Sequence, residues 1–210
     1  MIRKGKVLLG VVALAGAGAA VAGPVASAQG EPQTVYADVD GDGTANAVTV
    51  RLLDESTQSI TFDLPQGPVE TTAPAQLQAP QTPRVTDVNR DGAAEVAVTT
   101  VTGANTQHFQ LFKYDPAIGV VAVDNGGEPF TFYEGGGISA RSGYQCEESG
   151  KGPMLRIVSA QYDFESETYD GTTSWLIQTG NSISEWTRAP FSDVPADDPL
   201  LNLDPGTCAP

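Results

Sequence analysis

The stretch DVDGDGTANAVTV beginning at Asp38 returns as DVNRDGAAEVAVT beginning at Asp87, 49 residues later. Both copies read Asp, Val, Asp/Asn, any, Asp, Gly, any, any, Asn/Glu, and both pass without a break into an apolar, β-branched run. An acidic turn that feeds a strand twice at one spacing commits the chain to a repeated β unit. A period near ~50 residues, holding a loop and three or four strands, has the size of one propeller blade. A third copy, CEESGKGPMLRIV (146–158), keeps the glycine as Gly152 and the following strand. It puts Glu147, Ser149 and Lys151 where the other copies carry their acidic positions, and Leu155 where they carry Asn46 and Glu95.

The rest of the chain supports the same fold class. AVTVRLLD (47–54) and SITFDL (59–64) read as a hairpin, and EVAVTTVT (95–102), QHFQLFKY (107–114) and GVVAVD (119–124) as a meander. MLRIVSAQYDF (154–164), TSWLIQ (173–178) and SISEWT (182–187) repeat that plan. Short strands with short turns predict antiparallel all-β structure. The expected fold is therefore a single all-β domain of propeller-like blades starting near 38, 87 and 147. Three blades fall short of the roughly four to eight that close a propeller. An open arc, a sandwich, or half of a homo-oligomer are the remaining arrangements. The proline-rich segment 64–83 is expected to be a mobile linker or a strip lying across a sheet, and the tail 189–210 to be irregular, tied back by Cys208 if the disulfide forms.

The first 28 residues, MIRKGKVLLGVVALAGAGAAVAGPVASA, pair a basic start with an apolar run and end on a small-residue cleavage site. That is the pattern of a secretory signal peptide. A membrane anchor is the competing reading, but the run is rich in Ala and Gly, broken by Pro24, and lacks a basic stop-transfer flank. Cleavage after Ala28 leaves residues 29–210 and no stable membrane insertion. Loss of Arg3, Lys4 and Lys6 then moves the net charge from −15 to −18. Such an acidic surface repels phosphate backbones, which argues against nucleic acid as a partner and suits divalent cations. Cys146 and Cys208 are the only cysteines. In an oxidising compartment they are expected to pair, the alternative being two buried free thiols.

Two readings compete for the acidic loops: solvated turns, for which Asp and Gly are ordinary residues, or cation sites. Ca²⁺ takes about six to eight oxygens, and side chains at alternate positions converge on one ion when the chain curls around it. In the first loop the ligand set is Asp38, Asp40, Asp42, the carbonyl of Thr44, and Asn46. In the second it is Asp87, Asn89, Asp91, the carbonyl of Ala93, and Glu95. An EF-hand or dockerin loop needs a carboxylate at its twelfth position, where these loops carry Thr49 and Val98. In the third copy Lys151 stands where a ligand would and is expected to pair with Glu147 or Glu148.

DVDGDGTAN and DVNRDGAAE, with the strands that follow and the degenerate EESGKGPML, resemble the FG-GAP/VCBS repeats, the calcium-loop blades of integrin-α-like propellers. The resemblance covers about 38–60, 87–124 and 147–187. It implies Ca²⁺ held by Asp-rich loops between strands, in a secreted or surface protein that binds extracellular protein or glycan ligands.

Catalytic motifs are weak. His108 is the only histidine, no GxSxG elbow is present, and EGGGIS (134–139) lacks the lysine and flanking elements of a phosphate loop. YDFESETYDG (162–171) alternates Asp163, Glu165 and Glu167, which would share one face of an extended strand beside Tyr162 and Phe164. Paired carboxylates are glycosidase chemistry, though a solvated acidic strand face gives the same pattern. The expected function is a secreted calcium-binding module without its own catalysis. The alternative is a carbohydrate-active hydrolase using those carboxylates.

Overall fold

The computed structural model describes residues 30–210, so the expected leader lies outside the described residues. Among them no α-helix occurs; apart from two 3-10 turns, every regular element is a strand. The first unit is a four-stranded antiparallel meander of β1 (Gln33–Ala37), β2 (Asn46–Leu52), β3 (Thr57–Leu64) and β4 (Gly67–Pro74). Along β2, Asn46, Val48, Val50 and Leu52 are buried and the residues between them are not. That two-residue period marks a strand covered on one face.

A second meander follows, of β5 (Arg84–Thr86), β6 (Glu95–Thr102), β7 (Thr106–Asp115) and β8 (Gly119–Ala122). A shift of 49 residues lays β2 on β6 and β3 on β7, so the period of the acidic loops is the period of two structural units. Short β9 (Asp124–Asn125), β10 (Glu128–Pro129) and β11 (Thr131–Gly135) lead into a third meander of longer strands. These are β12 (Ala140–Ser149), β13 (Gly152–Asp163), β14 (Thr168–Thr179) and β15 (Ser182–Val194).

The second and third meanders share one sheet because β11 pairs with the first half of β7 on one side and meets β12 on the other. The sheet then curls. β9 lies beside β15, while Lys113 and Asp115 at the far end of β7 hydrogen-bond Gly180 and Asn181 in the β14–β15 turn. The described strands form neither a closed barrel nor a closed propeller.

Two cores hold the layers together. Val48, Val50, Ile60 and Phe62 of the first meander pack on Val96, Val98 and Phe112 of the second. Phe109, Leu111, Phe132, Tyr144, Leu155 and Leu176 fill the inside of the curl. Each fully buried side chain of this size stabilises by roughly 1.5–3 kcal/mol. The middle layer faces both cores, so β6 is buried at its first six positions with no polar-out alternation.

Three expectations change. Within 64–83, residues 67–74 are strand β4, at an edge of the first sheet. Pro68 and Pro74 sit near the two ends of that edge strand, where a missing N–H interrupts no central ladder. Only the start of the tail departs from expectation: β15 runs to Val194, after which the chain is irregular apart from 3-10 turns at Pro199–Leu201 and Pro205–Cys208, and it is tied back by the fully buried Cys208. The third acidic frame is a tight hairpin turn in which Ser149 pairs with Gly152 and Ser149 Oγ accepts from Lys151 N at 3.0 Å. Lys151 joins neither glutamate: Glu148 pairs with Arg90 at 2.9 Å, and Glu147 accepts from Trp175 Nε1 at 2.6 Å.

Candidate metal centre

The first acidic loop joins the paired strands β1 and β2 and is wound by its own side chains. Asp38 accepts from the backbone N–H groups of Gly41 (2.8 Å), Asp42 (3.1 Å) and Gly43 (2.8 Å). So tight a curl needs left-handed backbone, supplied by Gly41 and Gly43 at φ 73° and 86°. Asp42 in turn accepts from Thr44 N at 2.7 Å. The result brings carboxylate oxygens of Asp38, Asp40 and Asp42 within 4.8 Å of one another. Among the described residues this is the one such group of potential metal ligands.

Gathering these charges is unfavourable without a counter-ion. At ~4 Å each like-charged pair costs about 1 kcal/mol in water and about 4 kcal/mol near a protein surface of lower effective dielectric. Asp40 Oδ1 adds a second cost, because it is buried from solvent and accepts no hydrogen bond. A buried acceptor without a partner ordinarily costs ~1–3 kcal/mol, and more when charged.

The second loop joins β5 and β6 in the same way. Asp87 accepts from Asp91 N and Gly92 N, each at 3.2 Å, and Asp91 accepts from Ala93 N at 2.9 Å. Arg90 takes the place of Gly41 and is held at φ 52°, a conformation that costs a side-chain-bearing residue roughly 1–2 kcal/mol. Asn89 differs from Asp40 in being partnered: its Nδ2 donates to Asp91 Oδ2 at 2.9 Å. An amide that spans the loop this way neutralises part of the crowding, and the second loop does not gather three carboxylates as the first does.

The ninth position does the same work in both loops. Asn46 Oδ1 accepts from Val39 N at 3.4 Å and Glu95 Oε2 accepts from Val88 N at 2.9 Å, so each side chain fastens the loop's second residue from the buried side. Glu95 is fully buried, and its other oxygen accepts from Gln178 Nε2 of β14. Burial, with Asp91 adding to it, pushes the Glu95 carboxyl up to about 7 against the opposing pull of Val88 N, Gln178 and Lys113. Thr44 is exposed and Ala93 half-buried, each contributing an N–H to the preceding aspartate.

The loops touch. Ala94 N donates to the Asp38 carbonyl at 2.7 Å, and a Cβ added to Gly41 would lie 3.4 Å from Ala93 Cβ. The second loop is also tied to the tail, since Asp87 N donates to the carbonyl of Cys208 at 2.8 Å. Cys208 forms the expected disulfide with Cys146 on β12. The contacts of Arg90 with Glu148 and of Glu95 with Gln178 are ones the repeat frame alone could not supply, because Glu148 and Gln178 lie in the third meander. Arg90 is not singled out by the sequence reading, and the signal that could have found it is its place where the first copy has Gly41.

The carboxylates of 163–167 are arranged differently from the sequence expectation. β13 ends at Asp163, and Phe164–Glu167 form the turn to β14, so Glu165 and Glu167 share no strand face with it. Asp163 accepts from Glu165 N at 2.8 Å, which holds its carboxyl below the usual range. His108 on β7 meets Tyr133 edge-on, with ring centroids 4.5 Å apart. No protein-family model, curated protein or solved structure matches this chain.

Proposed function

We propose that the protein is a secreted, calcium-stabilised binding or scaffold module of FG-GAP/VCBS type, without catalysis of its own, whose meanders are propeller-like blades in an open arc. The observation that carries the reading is the buried, unpartnered Asp40 Oδ1 inside a group of three carboxylates lying within 4.8 Å. A hard cation supplies that oxygen with a partner and relieves the repulsion around it. The first loop is the stronger site, with Asp38, Asp40, Asp42, Thr44 and Asn46 around it. The second, at Asp87, Asn89, Asp91, Ala93 and Glu95, is weaker because Asn89 and Glu95 spend their polar atoms on the protein. Secretion is supported by the leader pattern and by the Cys146–Cys208 disulfide, a bond of oxidising compartments. The partner is an extracellular protein or glycan.

Isothermal titration of the purified protein with CaCl₂ tests this. Expected is binding at ~10⁻⁴–10⁻³ M, the range of extracellular calcium modules. Asp40→Asn should weaken the tighter phase, while Lys151→Ala leaves it unchanged. A folded protein that takes up no calcium would return both loops to the class of solvated turns.

A further inference from the structure

The curled sheet leaves a cleft of about 410 Å³ between β11 and the inner face of β13–β15. That lies in the ~300–1,000 Å³ range of small-molecule sites. The floor is apolar, formed by Phe130, Phe132, Ile157 and Leu176, and continuous with the core inside the curl. The charged groups of the lining are Glu185 and Arg188.

These two side chains face the cleft together because of a β-bulge. Strict alternation sends residues three apart on a strand to opposite faces. Here Glu185 pairs with Leu176 and Arg188 with Ser174, while the register slips between Trp175 and Leu176, leaving Trp186 as the extra residue. Bulges recur where a sheet re-aims a side chain. The re-aimed arginine is then locked. Its Nε donates to Ser174 Oγ (3.1 Å), and its Nε and Nη2 donate to Glu185 Oε2 (2.9 and 2.6 Å). Ser174 Oγ donates to the same carboxylate oxygen at 2.9 Å. Glu185 Oε1 and Arg188 Nη1 make no hydrogen bond among the described residues. One ion pair therefore presents a fixed acceptor and a fixed donor above an apolar floor.

We propose that this cleft binds a neutral sugar ring. Of two adjacent hydroxyls, one donates to Glu185 Oε1 and the other accepts from Arg188 Nη1, while the C–H face of the ring lies on the apolar floor. The ion pair cancels its own charge within a chain of net charge −15, which disfavours an anionic ligand. The hydroxyls of Ser159 and Thr172 along the same wall serve further hydroxyl groups. The site rests on the binding-module reading, whose ligand class it names, and uses no residue of the acidic loops.

Saturation-transfer NMR on the purified protein tests the site, with glucose, galactose, mannose, N-acetylglucosamine and their disaccharides as probes and glucuronate as the acidic comparator. At least one neutral sugar should receive saturation, both in EDTA and in CaCl₂. Arg188→Ala and Glu185→Gln should each weaken that binding about tenfold or more, the loss expected for a hydrogen bond to a charged group. Glu70→Gln, outside the cleft, should bind as the unaltered protein does. Both cleft side chains are solvent-accessible, so the variants should keep the far-UV circular dichroism spectrum of the parent. No transfer to any neutral sugar, transfer to glucuronate alone, or binding unchanged in both folded cleft variants would overturn the assignment. Calcium titration of the same samples reads the acidic loops separately, so either reading can fail while the other stands.

Discussion

Glu95 shows how a residue chosen by a repeat frame can be turned to a different use by its surroundings. The frame places it with the ligands, but β6 is covered on both faces, so the side chain points into the protein and meets Gln178. Its carboxyl lies at about 7 when folded, against an ordinary value of 4.5. The sign follows from proton counting. Between those two values the folded state holds a proton that the unfolded chain has released, so stability is greatest at the acidic end and falls as pH rises. The shift corresponds to a loss of roughly 3 kcal/mol across the window. Glu95→Gln should abolish most of this slope. The new amide can still accept from Val88 N, and its NH₂ can donate to Gln178 Oε1, which is buried without a partner in the parent. Urea midpoints measured in EDTA at pH 5, 6.5 and 8 check it. Parallel profiles for parent and variant would show that Glu95 does not titrate in this window.

Among elements, the tail carries more structure than its composition suggests. Cys208 closes a loop of 62 residues onto β12 and offers its carbonyl to Asp87, the first residue of the second acidic loop. Replacing both cysteines by serine should cost about 4 kcal/mol in the chain-entropy description. It should also raise amide exchange over 87–93 before any change appears over 38–44, because only the second loop leans on the tail. Equal deprotection of both loops would mean the tail acts only on global stability. The elements legible in the sequence are those whose side chains alternate or run apolar: β2, β3, β6, β7, β8, β13, β14 and β15 all fall where β-branched and aromatic residues cluster. β4 was hidden because GPVETTAP looks like linker, its prolines being tolerated only by its place at an edge. β12, ARSGYQCEES, has few strand formers and is held by pairing with β13 along its whole length. The cleft was illegible for a stricter reason. Glu185 and Arg188 lie three apart, so alternation places them on opposite faces, and nothing local announces the bulge at Trp186. The acidic loops lie at the other extreme, since their winding depends on residues within a span of nine.

At the scale of the molecule, the acidic loops lie where the first two meanders meet, and one hydrogen bond from Ala94 N to the Asp38 carbonyl joins them. A cation that orders the first loop therefore also fixes an acceptor of the second. In EDTA the repulsion among Asp38, Asp40 and Asp42 has no counterweight, so these loops should open before the strands that flank them, whose side chains are fixed in the shared core. At calcium about ten times its dissociation constant, each site adds roughly 1.4 kcal/mol if the unfolded chain does not bind. For a domain of this size ~1 kcal/mol moves the melting temperature by about 2–4 °C. Two occupied sites should raise it by about 6–11 °C, and the first site alone by half of that. Mg²⁺ should recover little, since it demands a smaller octahedral shell and gives up water reluctantly. Differential scanning calorimetry in EDTA, CaCl₂ and MgCl₂ gives the shifts, and hydrogen exchange gives the order of opening. The coupling between loops has its own signature: calcium should protect the Ala94 amide in the parent, and Asp40→Asn should remove that protection although Ala94 belongs to the other loop. Protection of Ala94 that survives Asp40→Asn would separate the two loops energetically, leaving the hydrogen bond between them a contact without consequence.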